Sequence, residues 1–415
     1  MKMKIKKHLP LTVVAIAMTM TISAANAAAK PLKVYILAGQ SNMQGKAKVR
    51  TIERLNMTED GKAMYEDMVG KDGKPVAVKD TYGAYFTAYR SGPVAVKGPL
   101  SPTYGAEFNP EQNFGPEFTF GIYMQKHSNE PILIIKTAWG GKNLLQQFRP
   151  PSGGEYPLPE NKVIKLKAEG KLDAGLAEHK KANGEYYRLM MEHVKTVLAD
   201  PSKYHPAYDK AAGYEIAGFV WFQGFNDLVG PYPRVDADEG KKGPKDWSEY
   251  SRLLACFIRD VRTELKVPKM PFVIGVIGVG GELKPEDNQQ FFRKAMAEPT
   301  AMEEFKGNVS AVLTGQFWDK KAAKLQQRIE DATEKAVLAK HPEYKGRAGA
   351  IREGKKKMRA AVAKEALTAE EQAFLKLAVS NQAYHYNGSA YTYGKIGKAF
   401  ADSMAKLQGL KVKVK

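Results

Sequence analysis

The stretch Val34-Tyr35-Ile36-Leu37-Ala38-Gly39-Gln40-Ser41-Asn42-Met43-Gln44-Gly45 decides the fold. Five consecutive apolar residues with no polar alternation read as a strand buried on both faces, the pattern of parallel sheets covered by helices. Glycine ends the run, and a polar segment bearing a serine follows. The same rhythm returns at Ile132–Thr137, Ile216–Phe222, Phe272–Gly278 and, more briefly, Ser310–Thr314. Helical patterns fall between these runs at Phe118–Lys126, Glu185–Leu198, Tyr250–Leu265 and Gln290–Ala297. Strand–helix alternation of this kind predicts a three-layer α/β sheet. Ligands of such sheets bind beyond the carboxyl ends of the strands, so the residues just past each strand are the ones to read.

Two segments break the rhythm. Residues 150–183 open with Pro-Pro-Ser-Gly-Gly, continue lysine-rich and predict a surface excursion. Residues 320–377 are rich in Ala, Lys, Glu and Arg with apolar residues at helical spacing, and predict a helical insertion broken near His341-Pro342 and Tyr344-Lys345-Gly346. The N-terminus carries Lys2, Lys4, Lys6 and Lys7, an apolar run from Leu11 to Ile22 and Ala25-Asn26-Ala27, the pattern of a secretory signal peptide over residues 1–27. That run is too short to span a bilayer comfortably. The expectation is an exported protein, periplasmic or secreted, without stable membrane insertion, whose remaining residues 28–415 form one domain.

The chain has 415 residues, 43% of them hydrophobic, which excludes a disordered protein. Its one cysteine, Cys256, excludes an intramolecular disulfide and any multi-cysteine metal site. No His-Glu-x-x-His or similar ligand spacing occurs, and Asp236-x-Asp238-Glu239 reads as a solvated acidic loop, so no metal and no cofactor are expected. The glycines of Gly275–Gly281 lack the order of a dinucleotide fingerprint. A net charge of +19 suggests an acidic glycan as partner, although its spread along the chain also suits a solvated lysine-rich surface. Nucleic acid is not expected, because no recognised binding motif accompanies the charge. Oligomeric state is not readable.

At the strand ends stand Gly39-Gln40-Ser41-Asn42, then Thr137-Ala138-Trp139-Gly140-Gly141-Lys142, then Trp221-Phe222-Gln223-Gly224-Phe225-Asn226-Asp227. A serine at a sheet's ligand edge is a candidate nucleophile once a base accepts its proton. Paired glycines offer unblocked N–H groups to a ligand, and Gln223 and Asn226 are neutral donors suited to an oxyanion. Among seven histidines, His385 stands apart in Asn381-Gln382-Ala383-Tyr384-His385-Tyr386-Asn387-Gly388, just before a small-residue helical pattern at Tyr393–Leu407.

Together these blocks resemble the SGNH-type hydrolases, and more closely their carbohydrate-acetylesterase branch, the sialate O-acetylesterase and acetylxylan-esterase-like proteins. Tyr35–Met43 is similar to the branch's nucleophile motif, Gly115-Pro116-Glu117-Phe118 to its second-helix entry, Lys136–Gly141 to its glycine block, and Trp221–Asp227 to its Trp-x-Gln-Gly block. Residues 31–318 and 378–408 carry the resemblance. It implies an α/β/α sandwich on a mostly parallel, flavodoxin-like sheet, and a serine esterase that removes acetyl groups from a carbohydrate. Ser41 is then the nucleophile and His385 the general base. The oxyanion donors are the Ser41 N–H, a glycine N–H at Gly140 or Gly141, and the side chain of Gln223 or of Asn226. Gln40, Trp139 and Tyr384 are candidate substrate contacts, and Phe148, Tyr386 and Trp318 further candidates for stacking on sugar faces.

One position departs from the family pattern. An aspartate usually stands three residues before the histidine, and here Gln382 does. Asp227, Glu117 and Asp319 are the candidate replacements, with Asp227 foremost. The alternatives are a Ser–His dyad whose imidazole is fixed by a backbone carbonyl or Gln382, and a non-catalytic glycan-binding protein on the same fold. A lipolytic esterase of the wider superfamily is a further reading.

Overall fold

The computed structural model describes residues 30–89, 92–106, 113–235 and 243–413. The signal-peptide pattern and the acidic stretch Asp236–Glu239 lie outside the described residues. Seven strands form the central sheet: β1 Leu32–Gly39, β2 Thr81–Tyr89, β3 Gly92–Pro99, β4 Ile132–Ala138, β5 Tyr214–Phe222, β6 Phe272–Val276 and β7 Val309–Leu313. Their order is β3-β2-β4-β1-β5-β6-β7, and every neighbouring pair is parallel except the β2–β3 hairpin. Without the hairpin the order is the 2-1-3-4-5 of a flavodoxin-like sheet.

Burial on both faces explains the continuous apolar runs. All seven residues of β4 are buried, as is nearly all of β1. Alternate residues of β5 serve opposite layers. Phe219 and Trp221 meet Phe257 of helix Ser248–Glu264 at 5.8 and 4.4 Å between ring centroids, whereas Phe222 meets Phe400 of helix Ala390–Leu407 at 5.4 Å. Helix Pro116–Ser128 crosses Ala390–Leu407 closely enough that a Cβ on Gly397 would stand 2.2 Å from the carbonyl oxygen of Pro116. Only glycine permits that approach.

The β2–β3 hairpin was not foreseen. β3 is an edge strand with alternating exposure, and its Gly-Pro-Val-Ala-Val-Lys-Gly-Pro sequence lacks the continuous apolar signal of the buried strands. The excursion contains two helices, Glu160–Ala168 and Leu172–Ala182, neither of which buries a residue. Beyond β7, helices Lys320–Lys340, Ala348–Ala366 and Ala369–Ala378 enclose a small cluster of their own, built on Leu325, Ile329, Leu367 and Phe374. Asp319 caps the first of these helices and forms a buried ion pair with Arg54 at 2.8 Å, joining this unit to the body. Among the described residues no helix is long and apolar enough to cross a membrane.

Candidate active site

The chain reverses its direction of progress across the sheet at β1, which lies between β4 and β5. The crevice at such a switch point is where ligands of open α/β sheets bind. Ser41, the Gly140-Gly141 turn and Asn226 follow the carboxyl ends of β1, β4 and β5 respectively, so the sequence's three strand-end blocks converge. Ser41 opens a one-turn helix, Ser41–Gln44, and is 9% exposed.

The histidine arrives from the far end of the chain and is stitched to the serine through neighbours. Asn42 Nδ2 donates to the carbonyl of Tyr384 at 3.2 Å, while its Oδ1 accepts from the Tyr393 hydroxyl at 3.0 Å. Residues flanking Ser41 and His385 are thereby bonded to each other. The turn Ala383–Gly388 that presents His385 then passes through left-handed backbone at Tyr386 (φ 49°) and Asn387 (φ 58°). A tyrosine there is strained unless its surroundings fix it. They do: the fully buried Tyr386 hydroxyl accepts from Gly278 N–H and shares a hydrogen bond with Thr314 Oγ1, each at 2.6 Å. Burial, and secondarily the Lys46 ammonium, push the His385 imidazole down to about 4, leaving it neutral near pH 7 and a weaker base than a free imidazole.

Counting hydrogen-bond partners separates Gln223 from Asn226. Gln223 is 1% exposed, and its Nε2 already serves Gln40 Oε1 at 3.1 Å, Lys142 O at 3.0 Å and Asp227 Oδ2 at 2.5 Å. Two amide hydrogens leave nothing for a ligand. For Asn226 the polarity of Gln40 decides. Gln40 Oε1 accepts the backbone N–H groups of Gly224 and Asn226 at 3.1 and 3.3 Å, so its Nε2 must face Asn226, donating to Oδ1 at 2.9 Å. The Asn226 amide is thus turned with Nδ2 outward, and among the described residues that group has no partner. The N–H groups of Ser41 and Gly140 are likewise unpartnered there. A Cβ built on Gly140 lies 3.8 Å from that of Ser41, so Gly140 is the glycine beside Ser41. Gly141, with φ +77° and nothing near its Cβ position, makes the turn.

Several expected roles are corrected. Gln40 is 1% exposed and its amide is consumed by the β5 loop, so it scaffolds the site and does not face substrate. Trp139 is 1% exposed and packs edge-on against Phe86 and Tyr186, and Phe148 and Tyr386 are fully buried, so none of the three offers a sugar a face. Tyr384 differs: it is 44% exposed, stacks on Phe225 at 5.6 Å and meets the His385 ring at 4.5 Å, forming an aromatic ledge beside the imidazole.

None of the candidate carboxylates touches His385. Asp227 is fully buried and accepts from Leu144 N, Leu145 N, Gln223 Nε2 and the Tyr232 hydroxyl. Burial holds its carboxyl above the ordinary range despite those donors. It clamps the loop after the glycine turn to the β5 loop. Glu117 pairs with the buried Lys136 at 2.7 Å, whose ammonium also supports the carbonyls of Gln44 and Tyr104 at 2.9 and 2.6 Å. Asp319 belongs to Arg54. Among the described residues the Gln382 side chain has no hydrogen-bond partner. Instead Asn381 Oδ1 lies 2.8 Å from His385 Nδ1. The sequence offered no signal for Asn381 beyond its place one position before the expected aspartate; Asn42 and Phe225, flanking the motif residues, were equally silent.

A family model described as carbohydrate esterase, sialic acid-specific acetylesterase, matches residues 31–315, more than half of the chain and ending short of His385. No curated protein matches. Among solved structures, a carbohydrate acetylesterase from Xanthomonas citri is similar at 13% identity and a TM-score of 0.37, covering 68% of this chain and 50% of its own. This chain therefore spans about half the length of that protein. A protein from Arabidopsis thaliana is similar at 15% identity and a TM-score of 0.35, covering 68% of this chain and 85% of its own.

Proposed function

Because the chain belongs to the sialic acid-specific acetylesterase family of carbohydrate esterases, we propose that it is exported and removes acetyl groups from an extracellular carbohydrate through a Ser41–His385 acyl-enzyme mechanism. Ser41 Oγ attacks the acetyl carbonyl while His385 Nε2 takes its proton. The N–H groups of Ser41 and Gly140 and the amide of Asn226 hold the oxyanion. His385 then protonates the departing sugar hydroxyl, and water, deprotonated by the same imidazole, releases acetate from Ser41. The Tyr384–Phe225 ledge supports the sugar ring. The observation that carries this reading is the convergence of a nearly buried serine, a neutral imidazole tied to it through Asn42 and Tyr384, and three unpartnered N–H donors at one switch point.

Hydrolysis of an acetylated sugar by wild type and Ser41→Ala tests it. Loss of turnover in the variant supports the mechanism; equal rates overturn it in favour of a glycan-binding protein. Comparison with long-chain esters separates a carbohydrate esterase from a lipolytic one. The signal-peptide pattern at residues 1–27 supports export, and the N-terminal sequence of the protein recovered outside the cytoplasm tests that part.

A further inference from the structure

Building on this reading, we infer that Asn381, one position before the one where the family pattern has an aspartate, is the positioning residue of His385, an uncharged amide in place of a carboxylate. The argument begins with a backbone group. The N–H of Gln382 donates to Asn381 Oδ1 at 2.8 Å, which identifies that atom as the oxygen and fixes the amide's polarity. His385 Nδ1, 2.8 Å from the same oxygen, must therefore carry a hydrogen to bond with it. In a neutral imidazole only one ring nitrogen is protonated, so Nε2 is left with its lone pair. Among the described residues that nitrogen has no internal partner. One main-chain N–H thus selects, through one amide, the tautomer that can accept the Ser41 proton.

The turn is built to keep Asn381 in place. Its own N–H donates to the carbonyl of Asn387 at 3.0 Å, and His385 N–H and Asn387 N–H both donate to the carbonyl of Gln382, at 2.9 and 3.1 Å. The left-handed residues Tyr386 and Asn387 close this loop, and Tyr386 is anchored in the core. Asn381 reaches His385 from four positions back because Gln382 is extended (φ −69°, ψ 157°) before the turn begins.

The group is neutral, and that has a chemical consequence. When Ser41 loses its proton, His385 becomes an imidazolium. A carboxylate would both orient the ring and stabilise that charge, whereas Asn381 orients it only. The charge that bears on the ring is Lys46, following the nucleophile helix, and it opposes protonation. From its own turn the ring faces Tyr384, and among the described residues no carboxylate contacts it.

The test has two arms. In the first, ¹⁵N shifts of the His385 ring near neutral pH report the tautomer without any turnover. Wild type is expected to show a protonated Nδ1 and a bare Nε2, and Asn381→Ala a mixture; a wild-type ring protonated at Nε2 overturns the assignment even if the protein is an esterase. In the second, Asn381→Ala is expected to lower kcat at least about tenfold with KM little changed. Asn381→Asp keeps the acceptor and adds the missing charge. It is expected to retain turnover and to move the acid limb of the kcat/KM profile upward by about one to three pH units. An unchanged kcat in Asn381→Ala, or an unmoved limb in a folded Asn381→Asp, overturns the proposal. Absence of esterase activity in wild type strikes at the acyl-enzyme reading and leaves the tautomer arm standing.

Discussion

Asn226 offers the sharpest quantitative test, because its two amide atoms do separable work. Oδ1 satisfies Gln40 Nε2 at 2.9 Å in a site where Gln40 is 1% exposed, whereas Nδ2 points outward and is assigned to the oxyanion. Asn226→Ala removes both. Stranding the buried Gln40 donor costs about 1–3 kcal/mol of stability. Losing an oxyanion donor lowers kcat by about 10²–10³, or about 2.7–4 kcal/mol of transition-state stabilisation. Asn226→Asp separates the two effects. The carboxylate still accepts from Gln40, so urea unfolding should give a stability within about 1 kcal/mol of wild type. Its second oxygen now faces the developing alkoxide, and kcat should fall at least as far as in the alanine variant. KM on a soluble acetyl ester should change little, because the lost interaction belongs to the transition state. Initial rates across a substrate series give kcat and KM, and denaturant curves give stability. An Asn226→Asp enzyme that is folded and keeps more than about a tenth of wild-type kcat refutes the assignment of Nδ2 to the oxyanion.

Three further outcomes are expected. His385 must be neutral to accept a proton, and its environment pushes it down to about 4 from 6.5; kcat/KM should stay flat as pH falls through 6.5 and drop only near 4, and a limb at 6.5 or above contradicts that environment. Asp319→Ala leaves Arg54 charged and buried between the rings of Phe374 and Tyr391 and uncaps helix Lys320–Lys340, so unfolding should become easier by about 3–5 kcal/mol, with Asp319→Asn losing less. Tyr384→Ala should raise KM for acetylated sugars while leaving hydrolysis of a small aryl acetate near wild type; equal effects on both substrates contradict the ledge as a sugar contact.

Much of the architecture was legible because its causes are local. Strands buried on both faces announce themselves as unbroken apolar runs, which is why Val34–Ala38, Ile132–Thr137 and Ile216–Phe222 could be placed without coordinates. The edge strand β3 escaped because it is half solvated and its composition resembles a loop, and with it went its hairpin partner β2, whose Thr-Tyr-Gly-Ala-Tyr-Phe-Thr-Ala-Tyr sequence is no unbroken aliphatic run. Trp139 illustrates the converse error: a large aromatic beside a motif suggests ligand contact, yet sequence proximity says nothing about which way the ring turns, and here it turns into the core.

The sequence by itself determined the five parallel strands of the sheet's core, the strand ends to inspect and the serine, glycine pair and histidine proposed to act there, since each depends on residue type and spacing along a short stretch. Only the tertiary structure decided that the Gln223 amide is spent while Asn226 Nδ2 has no partner among the described residues, that Asp227 braces two loops, and that Asn381 holds the imidazole. The reason is physical: hydrogen-bonding capacity is finite and directional. Whether a given amide still has a hydrogen to offer depends on partners brought beside it from elsewhere in the chain, as Gln40 and Lys142 are for Gln223.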